Sequence, residues 1–367
     1  MVLLAGAVAL GCQKKEALSL PIEDDTPLSF MSVGSVGSTK GATPTTDESL
    51  RTSHFGIFAY WVDDDQSFSG VADAYPYLKN RELVYSHTEE TTDFWVCNPA
   101  AYWPIGGSMT FFGYAPFMDC SGPVLTLPSS DTQSMPRGHF AQKSAVSELV
   151  DFCLAAPAYD RKKNSGEVPL VFTHALSKVL FYFNLKGERD PLEERRFMVK
   201  RMTLSDVVGE NSFTYGGLTG YRWDELPRED VSSRTADYEL SLEDGTLSYI
   251  PLPYESERTA QEGLERYECV NGAQAGLLYL LPQPMTGVSS VTIVLSAYHW
   301  DSVLEEWIEY DDAEMDPVTI SLPEYTVWDK GQTVAYSATL EGLIPIAFNV
   351  ELLDWDYTII SNVGFNH

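Results

Sequence analysis

Cys12 is the residue whose neighbours most directly specify a reaction. It follows Gly11 and the wholly apolar run VLLAGAVAL (Val2 to Leu10), and it precedes the polar stretch QKKEA. A run this short falls far below the roughly 20 residues that span a bilayer. It fits the apolar region of a secretory signal, about 7–15 residues long. A small residue directly before a cysteine at the end of such a run is the pattern of a lipoprotein signal. The thiol is acylated, and the cysteine becomes the first residue of the mature chain. The expectation is a signal peptide over 1–11, lipidation of Cys12 with palmitate-type chains, and a flexible tether over 12–27 ending in EDDTP. Each buried CH2 of an acyl chain contributes roughly 0.8 kcal/mol, so two or more chains anchor stably.

The other reactive residue types point to less. Cys97, Cys120, Cys153 and Cys269 permit two disulfides in any of three pairings, or four free thiols, and their spacing does not choose. None is spaced C-x-x-C, so a zinc knuckle or redox motif is not expected. The six histidines, His54, His87, His139, His174, His299 and His367, are scattered without helical or hairpin spacing that would pre-form a metal site. His174, in LVFTHALSKV, reads as a strand or turn histidine bonded locally. The acidic clusters Asp63-Asp64-Asp65 and Asp311-Asp312-Ala313-Glu314-Met315-Asp316 lack the alternating oxygens and glycine of a calcium loop, and read as solvated hairpin tips. No phosphate-binding loop, dinucleotide fingerprint, zinc-protease helix or nucleophile elbow occurs. A glycosidase needs two carboxylates at a fixed separation, and among 53 acidic residues the sequence nominates no pair. No catalytic residue, metal ligand or cofactor is therefore assigned. Trp103, in AAYWPIGGSMTFFGYAP, reads as packing between strands in preference to a sugar platform.

The elements that hold these residues are strands. The chain has 367 residues, 44% hydrophobic and 12% aromatic, enough for two domains with real cores. Its formal charge of −29 repels nucleic acid and anionic headgroups, so neither is an expected partner. LSFMSV (28–33), FGIFAYW (55–61), MTFFGYAP (109–116), KVLFYFNL (178–185) and SVTIVLSAY (290–298) read as strands, the last apolar on both faces and so an inner one. TVAYSATL (333–340) and IPIAFNVELLDW (344–355) alternate, the latter setting Ile344, Ile346, Phe348, Val350 and Leu352 on one side. Gly and Pro punctuation between such runs argues for antiparallel β-sandwiches. AVSELVDFCLA (145–155) breaks the pattern, with apolar residues at the spacing of a short helix. The charge run KGERDPLEERR (186–196) is the expected boundary between an N-terminal domain over 28–190 and a C-terminal domain over 191–367.

Taken in order, TSHFGIFAYW, AYWPIGGSMTFFGYAP, VPLVFTHALSKVLFYF, YTVWDKGQTVAYSATL and IPIAFNVELLDW, behind a lipoprotein start, make a sequence that resembles the fimbrillin-like family, subunits of the type V fimbriae of Gram-negative anaerobes. The resemblance implies an all-β fold of two tandem transthyretin-like antiparallel β-sandwich domains. It implies a non-enzymatic surface lipoprotein of the outer membrane, lipidated at Cys12, serving as a structural or accessory (anchor or tip) subunit with a part in cell adhesion. Its partners would be other fimbrial subunits joined by donor-strand exchange, and host or bacterial surface glycans or proteins. In polymerising members a trypsin-like protease cuts after an arginine and removes the first strand. Here that strand is LSFMSV, and Arg51 is the arginine between it and the next strand. YTIISNV (357–363) reads as a last strand or a short donor strand. The alternative is a surface lipoprotein that captures glycan or protein and never polymerises.

Overall fold

The computed structural model describes residues 23–34, 51–87, 94–120, 125–126, 135–190, 192, 194–216, 220–226, 234–272, 274–285, 287–341, 344–345 and 348–355. The regular secondary structure of the described residues is almost all strand, with short 3-10 turns. The first half contributes β1 (Glu23–Pro27), β2 (Ser29–Gly34), β3 (Phe55–Val62), β4 (Tyr75–Ser86), β5 (Phe94–Asn98) and β6 (Tyr102–Pro104). It continues with β7 (Ser108–Ala115), β8 (Leu125–Thr126), β9 (Arg137–Ala141), β10 (Cys153–Ala155), β11 (Ala158–Arg161) and β12 (Val168–His174). The second half contributes β13 (Ser177–Leu185), β14 (Arg196–Val208), β15 (Glu210–Tyr215), β16 (Tyr221–Trp223), β17 (Thr235–Ser241), β18 (Glu268–Cys269), β19 (Leu278–Leu280) and β20 (Gln283–Pro284). It ends with β21 (Ser290–Asp301), β22 (Glu306–Glu309), β23 (Val318–Ser321), β24 (Val327–Trp328), β25 (Gln332–Glu341), β26 (Ile344–Pro345) and β27 (Asn349–Asp354).

The first-half sheet runs β10-β12-β2-β5-β4-β3-β7-β11, and β10 also pairs with β7. Three residues of β10 therefore close the sheet on itself: Cys153 lies opposite both His174 of β12 and Ala115 of β7. Closure removes sheet edges, whose unpaired backbone groups would otherwise recruit other strands. Inside lie Phe30, Phe55, Ile57, Trp95, Met109, Phe111, Leu170 and Phe172, all buried. Trp103 is buried against the edge of Phe111, so it is a core residue as its sequence context suggested.

The second half is a sandwich. One sheet, β17-β14-β21-β22 with β23 on β21, faces another built on β13 and β25. β21 is an inner strand, as its two apolar faces required. Val179, Phe181 and Phe183 of β13 and Val334, Tyr336 and Ala338 of β25 point into the core between these sheets. The opposite faces of the same strands are not solvated. Leu180, Tyr182 and Ala335 join a third core with Phe112 and Tyr114 of β7 and Phe140, Phe213 and Tyr215. A four-stranded sheet, β16-β15-β9-β8, covers that core. The two halves thus share a packed waist, which Tyr215 ties by donating its buried O–H to Gly113 O at 2.8 Å.

Four expectations need correction. EDDTP, expected to end a flexible tether, is strand β1 and pairs with β6. The charge run at 186–196 joins β13 to β14, and both strands feed one core. The chain instead crosses between halves at Ala175 and Leu176, whose backbone groups bond Phe152 O and Gly331 N. Residues 145–155 are not a helix but a 3-10 turn, Val146–Glu148, followed by β10. The cause is tertiary. Gln142 donates from Nε2 to Val150 O (2.9 Å) and to Tyr279 O (2.7 Å), while its Oε1 accepts from Val150 N (3.1 Å). The side-chain amide thus holds Val150 extended, and β10 is consumed by its two strand partners. Finally, Phe348 is buried and Val350 packs against the core, but Leu352 is 55% exposed; among the described residues β27 pairs only with β25.

Replacing Gln142 by Leu leaves the Val150 N–H and C=O without that partner. The expected loss is about 1–3 kcal/mol of stability, read as a lower urea midpoint at unchanged slope.

Candidate functional site

The feature of this fold best suited to binding is the slot that β2 fills. β2 runs parallel to β12, with Val168 opposite Phe30 and Phe172 opposite Gly34. On its other side it is antiparallel to β5, where Ser29 faces Val96 and Phe30 faces Trp95. Alternation sorts its side chains: Leu28 and Phe30 are buried, and Met31 is 41% exposed. Phe30 meets Phe111 edge to face at 5.3 Å, while Phe55 packs on Trp95 (4.6 Å) and Phe172 (5.1 Å) below it. Without β2 the slot would offer two unpaired strand edges above an aromatic floor. An extended peptide added to edges of that kind draws affinity from main-chain hydrogen bonds and register from alternate pockets.

Arg51 lies between β2 and β3, exposed, in a helical turn over 51–53. Its guanidinium sits 4.6 Å above the Tyr85 ring. The next residue group is fixed: His54 Nδ1 contacts Glu82 Oε1 at 2.8 Å, and His54 O accepts from Phe117 N at 3.1 Å. The link preceding β3 is therefore anchored at one end, with its arginine on the surface. Cys12 and YTIISNV both lie outside the described residues.

Cys97, Cys120, Cys153 and Cys269 form no disulfide among the described residues. Burial pushes the Cys97 thiol up to about 12, against the weaker pull of Arg81. Burial likewise raises Cys269 to about 12. A thiol held so far above neutrality is a poor nucleophile. Asp63, Asp64 and Asp65 are exposed in a turn, with Lys162 Nζ 3.4 Å from Asp64. In the second acidic cluster, Glu314 pairs with Lys200 (3.0 Å) and Arg201 (3.3 Å).

His174 has company that sequence reasoning missed. Its Nδ1 lies 3.0 Å from Asp151 Oδ1 and 3.5 Å from Cys153 Sγ. Its ring stacks on Trp355 at 4.1 Å. The signal was the spacing Asp151-x-Cys153, which sets both side chains on one face of extended chain. Reading 145–155 as helix turned them away from each other.

The fold defined by these sheets belongs to a known class. The fimbrillin-like family matches residues 43–355 of the sequence, and the chain belongs to that family. No curated protein matches it. Among solved structures it is similar to a fimbrial protein from Bacteroides vulgatus, at 17% identity and a TM-score of 0.63, over 90% of this chain and 99% of that one. It is also similar to candidate cell adhesion proteins from Bacteroides ovatus (15% identity, TM-score 0.46) and Bacteroides uniformis (12%, 0.44), each match covering 90% of this chain and 98% of the other.

If β2 is held by the slot through alternate side chains, Phe30→Ala lowers the stability of the intact chain by about 3–5 kcal/mol. Met31→Ala, on the solvent face, shifts it by less than about 0.5 kcal/mol. Chemical denaturation of both variants checks the contrast.

Proposed function

We propose that the protein is a non-enzymatic subunit of a surface fimbria that joins its neighbours by strand addition. The single observation that carries the reading is the seating of β2, buried between β12 and β5 and followed by a link that bears an exposed Arg51. Cleavage after Arg51 would separate β2 from the body. The vacated slot would then take an equivalent strand from the next subunit. Family membership supports the fimbrial role, and the name of the similar Bacteroides vulgatus protein agrees with it.

The fuller proposal follows the sequence. The chain is exported as a lipoprotein, acylated at Cys12, and displayed on the outer membrane surface as an anchor, tip or other accessory subunit that contributes to adhesion. Its two halves are tandem transthyretin-like sandwiches divided near Ala175 and Leu176. In each, an early strand runs parallel to a late one, β2 to β12 and β13 to β25, a shared plan that supports the tandem reading.

Limited trypsin digestion of the folded protein tests this. The expected product begins at Thr52, loses β2 and forms concentration-dependent oligomers by size-exclusion chromatography and electron microscopy. Arg51→Ala is expected to block the cut and the oligomers together. A product that begins at Thr52 yet stays monomeric at high concentration would rule out strand addition into this slot.

A further inference from the structure

The waist holds a second site that the strand-addition reading does not use. The ligand-type atoms of Asp151, Cys153 and His174 all lie within 4.8 Å of one another. They converge from two directions: Asp151 and Cys153 from the entry to β10, His174 from the end of β12, with Cys153 and His174 directly opposed across the ladder. Cys153 is 2% exposed. The side chains of Asp151 and His174 retain 8% and 13% exposure, so the cluster is sheltered yet reachable by an ion from solvent.

The carboxylate and the thiol approach the same ring nitrogen of His174, and Cys153 Sγ also lies 4.0 Å from Asp151 O. The three ligand-type atoms thus converge on one point, where a single cation could take all of them. We propose that Asp151, Cys153 and His174 form a three-ligand site for Zn2+ at the junction of the two halves. A thiolate, an imidazole and a carboxylate match this borderline-soft ion, whereas calcium and magnesium take oxygen ligands. Zinc bonds of about 2.0–2.3 Å require neighbouring ligands roughly 3.0–3.7 Å apart, and the two contacts at His174 Nδ1 already measure 3.0 and 3.5 Å. Binding displaces the Cys153 thiol proton to solvent. The thiolate and carboxylate then balance the two charges of the ion. Three protein ligands leave a fourth position for water or an incoming side chain.

The ion would pin β10 to β12, the rungs that close the first-half sheet, beneath the Trp355 ring stacked on His174. The test uses the full chain without a histidine tag, stripped of metal by chelation and titrated with Co2+ and then Zn2+. One equivalent of Co2+ is expected to give a near-ultraviolet thiolate charge-transfer band, which Zn2+ abolishes by displacement. Cys153→Ser is expected to lose the band, while Cys120→Ser keeps it. Because Cys153 is a core residue, His174→Gln and Asp151→Asn supply an independent reading by competition with a chelating dye. Removal of a direct ligand should weaken Zn2+ binding more than the 10- to 100-fold typical of outer-shell partners. Circular dichroism verifies that each variant is folded. The proposal is overturned by a folded wild-type chain that binds neither ion, by a band that survives Cys153→Ser, or by unchanged Zn2+ affinity in folded His174→Gln.

Discussion

The first-half sheet depends on the short double pairing of β10. Without the rungs that Cys153 and Leu154 make to both β7 and β12, the sheet would be an open ribbon with two free edges. With them every strand of the sheet except β11 joins a ring and is held from both sides. β2 occupies one position in that ring, and its neighbours β12 and β5 meet across it alone. The ring therefore has a built-in weak point of a particular kind. The slot's walls, β12 and β5, each have a further strand partner, β10 and β4.

The second constraint is the doubly buried pair β13 and β25. A strand of a simple sandwich shows one face to water, and its sequence alternates accordingly. Here both faces are covered, one by the opposing sheet and one by the waist. Polar residues on these strands must then find protein partners. Lys178, 6% exposed, donates from Nζ to Trp355 O at 2.6 Å. Ser177 Oγ donates to Asp329 O at 2.8 Å. The waist is thus a fixed joint. Its contacts are the same kind that hold a domain interior, unlike the wetter and more polar interfaces across which domains commonly move.

Much of this was legible from period-two patterning. FGIFAYW, MTFFGYAP, KVLFYFNL, SVTIVLSAY and TVAYSATL each became the strand they resembled, because alternation and aromatic content report directly on sheet packing. What failed did so for non-local reasons. Residues 145–155 carry a helical apolar period, but β10 takes its partners from β7 and β12, and the Gln142 amide that holds Val150 is itself bonded to Tyr279, far along the chain. The charge run at 186–196 looks like a linker because it is exposed, and exposure alone does not distinguish a loop within a sandwich from one between two. The grouping of Asp151 and Cys153 with His174 was invisible while the first two were assigned to a helix. Residues from opposite strands of a ladder meet by register, which one sequence does not encode in readable form.

Trp355 has one more consequence. Its ring lies on His174 and its carbonyl accepts from Lys178 and from Thr333 Oγ1 at 3.3 Å. The residues through which the chain enters the second sandwich and the residue at the end of its last described strand are therefore side by side. A force applied between the first half and Trp355 would therefore meet these stacked rings and buried hydrogen bonds together with the β9–β15 ladder and the Tyr215 bond that also join the halves.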